Sequence, residues 1–214
     1  MEENYWQLGR WRRIPVSMHW TVLIAFAWLY LFFWDLLATA IASVAFFALL
    51  VIHELGHVAV LRWRKIPVER ITLYGVHGET SHAWAGPDDQ ILVAWGGVFA
   101  QIAVLLLAIG FSLLVPWSSS PAAAMVLGPV LLVFTKLNVF VMIIALLPIG
   151  PFDGRAAWAA IPRLRRAFRR WKQARKSVKL SPEQLRELEE RSAKEATELL
   201  EKLSKTTSGR REDV

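Results

Sequence analysis

His53, Glu54 and His57 stand together in the run Ile52-His53-Glu54-Leu55-Gly56-His57. Residues four apart on a helix share one face, so the two imidazoles can hold a single metal ion between them. Glu54 then lies beside that ion, placed to take a proton from a water molecule. The run sits inside an apolar stretch from about Ala38 to Leu61, where polar groups are costly in hydrocarbon and need a reason to be there. A buried metal supplies one. The plainer account is a pair of buried histidines hydrogen-bonded to neighbouring helices, with Glu54 kept neutral. No cysteine is present, so any further metal ligand must be His, Asp or Glu.

A third candidate lies far along the chain, in Leu147-Pro148-Ile149-Gly150-Pro151-Phe152-Asp153-Gly154. The prolines and glycines stop a helix and leave irregular backbone, tolerated at membrane depth only where protein or water covers it. Asp153 reads equally as a third metal ligand or as the cap of a helix starting near Gly154. His77 and His82 are expected to be ordinary interfacial histidines, with contact to the metal as the alternative.

The elements that must position these groups are membrane elements. Of the 214 residues 55% are hydrophobic, and they fall in long blocks rather than at amphipathic spacing. The formal charge of +7 suggests nucleic acid at first, but basic residues crowd at the ends of apolar blocks, as on the cytoplasmic flanks of spanning helices that meet anionic lipid. No nucleic-acid partner is expected.

Residues 1–16, with Trp6, Arg10, Trp11, Arg12 and Arg13, read as a cytoplasmic interfacial segment. Ser17–Trp34 is predicted to be a first span. With Ala38-Thr39-Ala40 beyond it the start could mimic a cleavable signal, but the run is long and aromatic for one, so an uncleaved helix is expected. Asp35 marks a tight turn, and a second span from Leu36 to about Leu61 ends at Arg62, Arg64 and Lys65. Ala38 to His53 is about 15 residues, roughly 22 Å of helix in a core of about 30 Å, which places His53 inside the membrane toward the cytoplasm.

Between Ile66 and Asp89 the pattern alternates, with Val68, Arg70, Thr72 and Tyr74 on one side. This predicts a short interfacial strand or hairpin whose free edge could accept an extended peptide; a polar loop is the other reading. Further spans are expected over about 91–115 and 123–147, the first containing Trp95-Gly96-Gly97, where small residues allow close helix approach. In the last span, Lys136 either snorkels or lines a polar cavity, and Asn138 has the same choice between a helix contact and a site role. Residues 162–179 form a basic segment with Leu164, Phe168 and Trp171 on a membrane-facing side. Ser181-Pro182-Glu183-Gln184 is a good helix start, and the helix to about Leu203 carries an apolar stripe suited to a partner or a second copy through 181–204. Residues after Lys205 are expected to be disordered.

The predicted fold is therefore an all-α polytopic membrane protein of about four transmembrane helices, with a short interfacial β-hairpin and a cytoplasmic helical tail. The transmembrane domain covers 17–161 and the tail 162–214. Basic flanks put both termini on the cytoplasmic side, and His53, His57 and Asp153 fall at the same end.

Pro15-Val16 with His19-Trp20, His53-Glu54-Leu55-Gly56-His57, and Leu147-Pro148 leading to Phe152-Asp153-Gly154 resemble the site-2 protease family of intramembrane zinc metalloproteases over about residues 10–160. The small form, without an inserted peptide-binding domain, is the nearer likeness. The resemblance implies one Zn2+ per chain held by His53, His57 and Asp153, with Glu54 as general base. It also implies substrates that are membrane-tethered regulators, such as anti-sigma factors and transcription-factor precursors, in a bacterial cell membrane. Ala145 stands where the family usually has Asn, Trp95-Gly96-Gly97 and Gln101 replace an Ala-Gly-Pro and Asn pattern, and Arg155 replaces a glycine. Gln101 and Asn138 offer carboxamides for the substrate or transition state, and Arg70 and Tyr74 are candidates to hold an opened peptide. A catalytically silent adaptor of the same fold, binding helices or recruiting partners, is the competing function. A metal transporter is a weaker third reading, because the first and third blocks offer few polar ligands.

Overall fold

A computed structural model describes residues 4–176 and 182–209. The chain forms two compact units, one through Ile161 and one from Pro162.

In the first unit, β1 (Tyr5–Trp11) and β2 (Ile14–His19) form a hairpin, followed by α1 (Val22–Phe33) and α2 (Leu36–Trp63). A second hairpin, β3 (Val68–Leu73) and β4 (Gly78–His82), leads into α3 (Pro87–Leu114). Then come α4 (Pro121–Leu132), a π-helical turn (Val133–Leu137), α5 (Asn138–Ala145) and the short α6 (Gly154–Trp158).

Three helical stretches, Leu36–Trp63, Pro87–Leu114 and Pro121–Ala145, are long and apolar enough to cross a bilayer, and the chain is an integral membrane protein. The expected first span divides. Its start, through His19, is strand, and α1 has 12 residues, about 18 Å of rise against a core of about 30 Å. Asp35 ends the turn as expected: its carboxylate accepts the Ala38 N–H at 2.7 Å and starts α2. In the last span Pro129 removes a backbone donor and the π-helical turn follows it, with Lys136 exposed on that turn.

The chain is not all-α. The four strands form one sheet in the order β1-β2-β3-β4. The hairpins are antiparallel, and β2 pairs with β3 in parallel through Val16–Ile71, Ser17–Thr72 and Met18–Leu73. A parallel pair needs a long crossover, here α1 and α2. Residues 4–16, expected as a lone interfacial segment, thus become strands because β2 has a partner about fifty residues away. The strand reading of 68–73 holds, but β3 is paired on both sides. The free edges belong to β1 and β4, so an edge for an incoming peptide lies on β4 rather than β3.

Sheet and helices share one core, in which Ile14, Ile71 and Leu73 join Leu49, Leu50, Val58, Leu137 and Val141. The α2–α3 crossing is very close. A Cβ on Gly56 would overlap the Gly96 carbonyl, and one on Gly96 would come within 2.7 Å of the Gly56 oxygen, so this approach requires glycine on both helices.

The second unit holds most of α7 (Ala160–Lys176) and α8 (Pro182–Gly209). Helix α7 has Leu164, Phe168 and Trp171 exposed, with Phe168 and Trp171 stacked at 5.6 Å. Helix α8 continues past Lys205, where disorder was expected, to Gly209. The proposed Ser181 cap, residues 177–179 of the basic segment and residues 210–214 lie outside the described residues.

Candidate metal centre

His53 and His57 occupy one face of α2, about 15 Å and about 9 Å before its C-terminal end at 1.5 Å per residue. Both are buried, as is Glu54. Asp153 reaches them from the proline-broken turn before α6. His53 Nε2 lies 2.9 Å from Asp153 Oδ2 and 3.0 Å from His57 Nε2, and His57 Nε2 lies 3.3 Å from the same oxygen. Ligands at zinc distances of 2.0–2.1 Å in a tetrahedron stand about 3.3 Å apart, so the three atoms outline one face of such a site.

The far nitrogen of each imidazole is anchored. His57 Nδ1–H donates to the Val93 carbonyl at 2.7 Å, and His53 Nδ1–H donates to Gln101 Oε1 at 2.9 Å. Protons on both Nδ1 atoms leave both Nε2 lone pairs facing the Asp153 carboxylate. Three electron-rich atoms in van der Waals contact repel one another unless a cation lies among them, and a hydrogen-bonded far nitrogen is the usual support of a metal-bound histidine. The donor set therefore fits one metal ion.

Gly97 on α3 closes the back of the site. A Cβ there would lie 2.6 Å from His53 Cε1 and 2.8 Å from His57 Cε1, so only glycine lets α3 pass behind both rings. Gln101, one helical turn further on, is fully buried, and its main-chain oxygen accepts from Asn138 Nδ2 at 3.0 Å. Asn138 thus braces Gln101 rather than reaching the metal group directly.

The Asp153 turn is fixed from both sides. Trp158 Nε1–H donates to the Leu146 carbonyl at 2.7 Å, Trp95 Nε1–H donates to the Ala157 carbonyl at 3.2 Å, and Gly154 packs against the Leu146 and Leu147 carbonyls.

Strand β4 covers Glu54. Thr80 Oγ1–H donates to Glu54 Oε2 at 2.6 Å, and Gly78 lies so close to the carboxyl group that any Cβ would overlap it. Glu54 Oε1 is buried with no hydrogen-bond partner. Beside it, a cleft of about 290 Å³ is lined by Glu54, His57, Thr80, His82, Val93 and Asp153, among others. On the other side of the metal group, a cavity of about 30 Å³ touches His53, His77, Ala145 and Asp153, room for a water molecule.

His77 and His82 stay outside the three-residue metal group but line these two spaces. Tyr74 stacks on His77, with ring centroids 4.7 Å apart, and its hydroxyl reaches Glu79 at 3.4 Å. Burial raises the Tyr74 phenol above its ordinary value. Arg70 is exposed on β3, paired with Ser81, and borders neither space. Sequence reasoning passed over Thr80 and the Val93 carbonyl, and it placed Gly78 near a turn without its approach to Glu54. The Thr80 contact follows from sheet register, and a carbonyl acceptor leaves no trace in residue type.

No protein-family model and no curated protein matches the chain. Among solved structures, the Site-2 Protease from Methanocaldococcus jannaschii is similar, at 20% sequence identity over 73% of this chain and 71% of that one, with a TM-score of 0.59. At that identity the likeness shows a shared fold.

Proposed function

We propose that this chain is a zinc-dependent endopeptidase of the site-2 protease family. It would cut a transmembrane segment of a membrane-tethered regulatory protein near the cytoplasmic side. The observation that carries this reading is the meeting of two anchored imidazoles and a carboxylate at ligand separation, with Glu54 beside them in the same cleft.

His53, His57 and Asp153 would hold one zinc ion, which when bound lowers the pKa of water and polarises a carbonyl. Glu54 takes a proton from the attacking water as the new carbon–oxygen bond forms and the carbonyl electron pair moves onto oxygen. It then delivers that proton to the amide nitrogen as the carbon–nitrogen bond breaks, releasing an acid and an amine. Thr80 holds one Glu54 oxygen, which leaves Oε1 for this proton. Gln101 orients His53, and Asn138 keeps Gln101 in place.

A helical substrate hides its scissile carbonyl in its own hydrogen bonds, so it must open. The edge of β4, beside Glu54, suits the opened stretch by strand addition. Tyr74 would act through His77, and Arg70 on flanking parts of the substrate. The anti-sigma factors and transcription-factor precursors cut by the family are the substrate class in view. Both termini would face the cytoplasm of a bacterial cell. The basic, apolar-edged α7 would bind anionic lipid, and α8, with Leu185, Leu188, Leu199 and Leu200 exposed, a partner or second copy.

One observation favours the silent adaptor: Ala145, where the family usually carries Asn, lines the small cavity and supplies no polar group. Glu54→Gln separates the two readings. A protease keeps its zinc and loses cleavage of a single-span reporter, whereas an adaptor's phenotype does not change.

A further inference from the structure

His77 sits in the turn between β3 and β4 and lines the cavity of about 30 Å³ that also touches His53 and Asp153. Its Nδ1 is buried with no hydrogen-bond partner. A buried donor left unpaired is destabilising, and such an atom at a reaction site points to a ligand that completes it. Apart from the two metal-ligand candidates, the rest of that lining is apolar side chains, proline and glycine, so His77 supplies the remaining side-chain hydrogen-bond donor.

The ring is held on two sides. It stacks on Tyr74 with an interplanar angle of 9°, and it meets Phe152, the neighbour of Asp153, edge-on at 5.7 Å. Tyr74 is packed in turn against His19 at 5.3 Å. A donor fixed this way loses little on reorganisation when charge develops in front of it. Burial lowers the basicity of the imidazole, in keeping with a neutral ring.

We infer that His77 donates the hydrogen bond that stabilises the scissile carbonyl oxygen as it becomes anionic. The contact forms when water adds to the carbonyl and weakens when the carbon–nitrogen bond breaks; the His77 proton is not transferred. The inference rests on the protease reading above. It also gives a reason why Ala145 in the same cavity need not silence the enzyme: the donor comes from the hairpin instead of the last span.

The test uses the full-length, zinc-loaded protein in nanodiscs with two variants. His77→Phe keeps a ring for the Tyr74 and Phe152 contacts but removes the donor; His77→Asn restores an amide N–H near the Nδ1 position. The first readout is kcat and KM for a single-span reporter peptide. The second, independent of turnover, is the affinity for a peptide phosphonamidate, a tetrahedral anion, compared with that for the reporter bound to the Glu54→Gln form. His77→Phe should lower kcat about 100-fold, the scale for losing one such donor, with KM within twofold. It should weaken phosphonamidate binding by a similar factor while reporter affinity holds, and His77→Asn should recover most of both losses. The inference is overturned if His77→Phe keeps kcat within twofold, if phosphonamidate and reporter affinities fall together, or if His77→Asn is as impaired as His77→Phe. Wild-type protein that binds zinc yet cleaves nothing overturns the protease reading itself, a result distinguishable from these.

Discussion

Gly97→Ala tests whether the site is a metal centre or a hydrogen-bonded pair of histidines. The added methyl would lie 2.6 Å from His53 Cε1, 2.7 Å from His53 Nε2 and 2.8 Å from His57 Cε1, where ordinary contact begins at 3.4 Å. The rings must therefore give way by about 0.6 to 0.8 Å, several times the roughly 0.2 Å that a metal site tolerates in its ligand distances. They cannot move singly, because Gln101 and Val93 hold their far nitrogens and Asp153 faces their near ones. Disturbing the support of one metal-bound histidine costs about 10- to 100-fold in affinity. Two disturbed together should cost at least about 100-fold. Folding should suffer less, since overpacking of about 1–3 kcal/mol is partly offset by about 1 kcal/mol of helix propensity gained over glycine. The assay is zinc affinity by chelator competition, alongside thermal unfolding of the zinc-free protein in detergent. Gly110→Ala, on the same helix with nothing within 4 Å of its Cβ, is the control and should leave zinc binding unchanged. A Gly97→Ala protein that binds zinc as tightly as wild type refutes the reasoning, because the rings would then not be held where a metal needs them.

Replacing Glu54 by Gln should leave zinc bound at one per chain while cleavage of a reporter falls by about 10²–10⁴-fold, the range for a lost general base; metal analysis and gel assay read the two separately. Gln101→Leu removes the acceptor from His53 Nδ1 and should weaken zinc about 10- to 100-fold, measured by the same competition titration. Stripping the metal with a chelator should lower the melting temperature and stop cleavage, with both restored by added zinc, since a ligand that binds only the folded state stabilises it. Reversing the charge of Arg165, Arg166, Arg169 and Arg170 together should abolish the preference of the purified tail segment for anionic over neutral vesicles, at about 1 kcal/mol per charge near the surface; co-sedimentation at two salt concentrations checks this.

The parts of this protein that were legible in the sequence are those whose meaning is local. His53 and His57 share a face because any helix puts residues four apart there, and the apolar run around them ensures the helix. Asp153 could be singled out because prolines and glycines break the chain around it, although its choice between ligand and cap depended on whether that break returns to α2. It does return, held by the Trp158 and Trp95 indoles and by Gly154, none of which has a spacing that announces such a role. The sheet was half hidden for the same reason. Residues 68–73 alternate visibly, but β2 has no such pattern and becomes a strand only because β3 lies alongside it after two intervening helices. That pairing in turn sets where Thr80 and Gly78 fall over Glu54, and where His77 falls beside His53 and Asp153. A distant strand pairing, and not the metal motif, therefore decides which groups surround Glu54. Two chains with the same His-Glu-x-x-His run and a different register in this hairpin would hold metal alike and differ in the hydrogen bonds offered to a substrate.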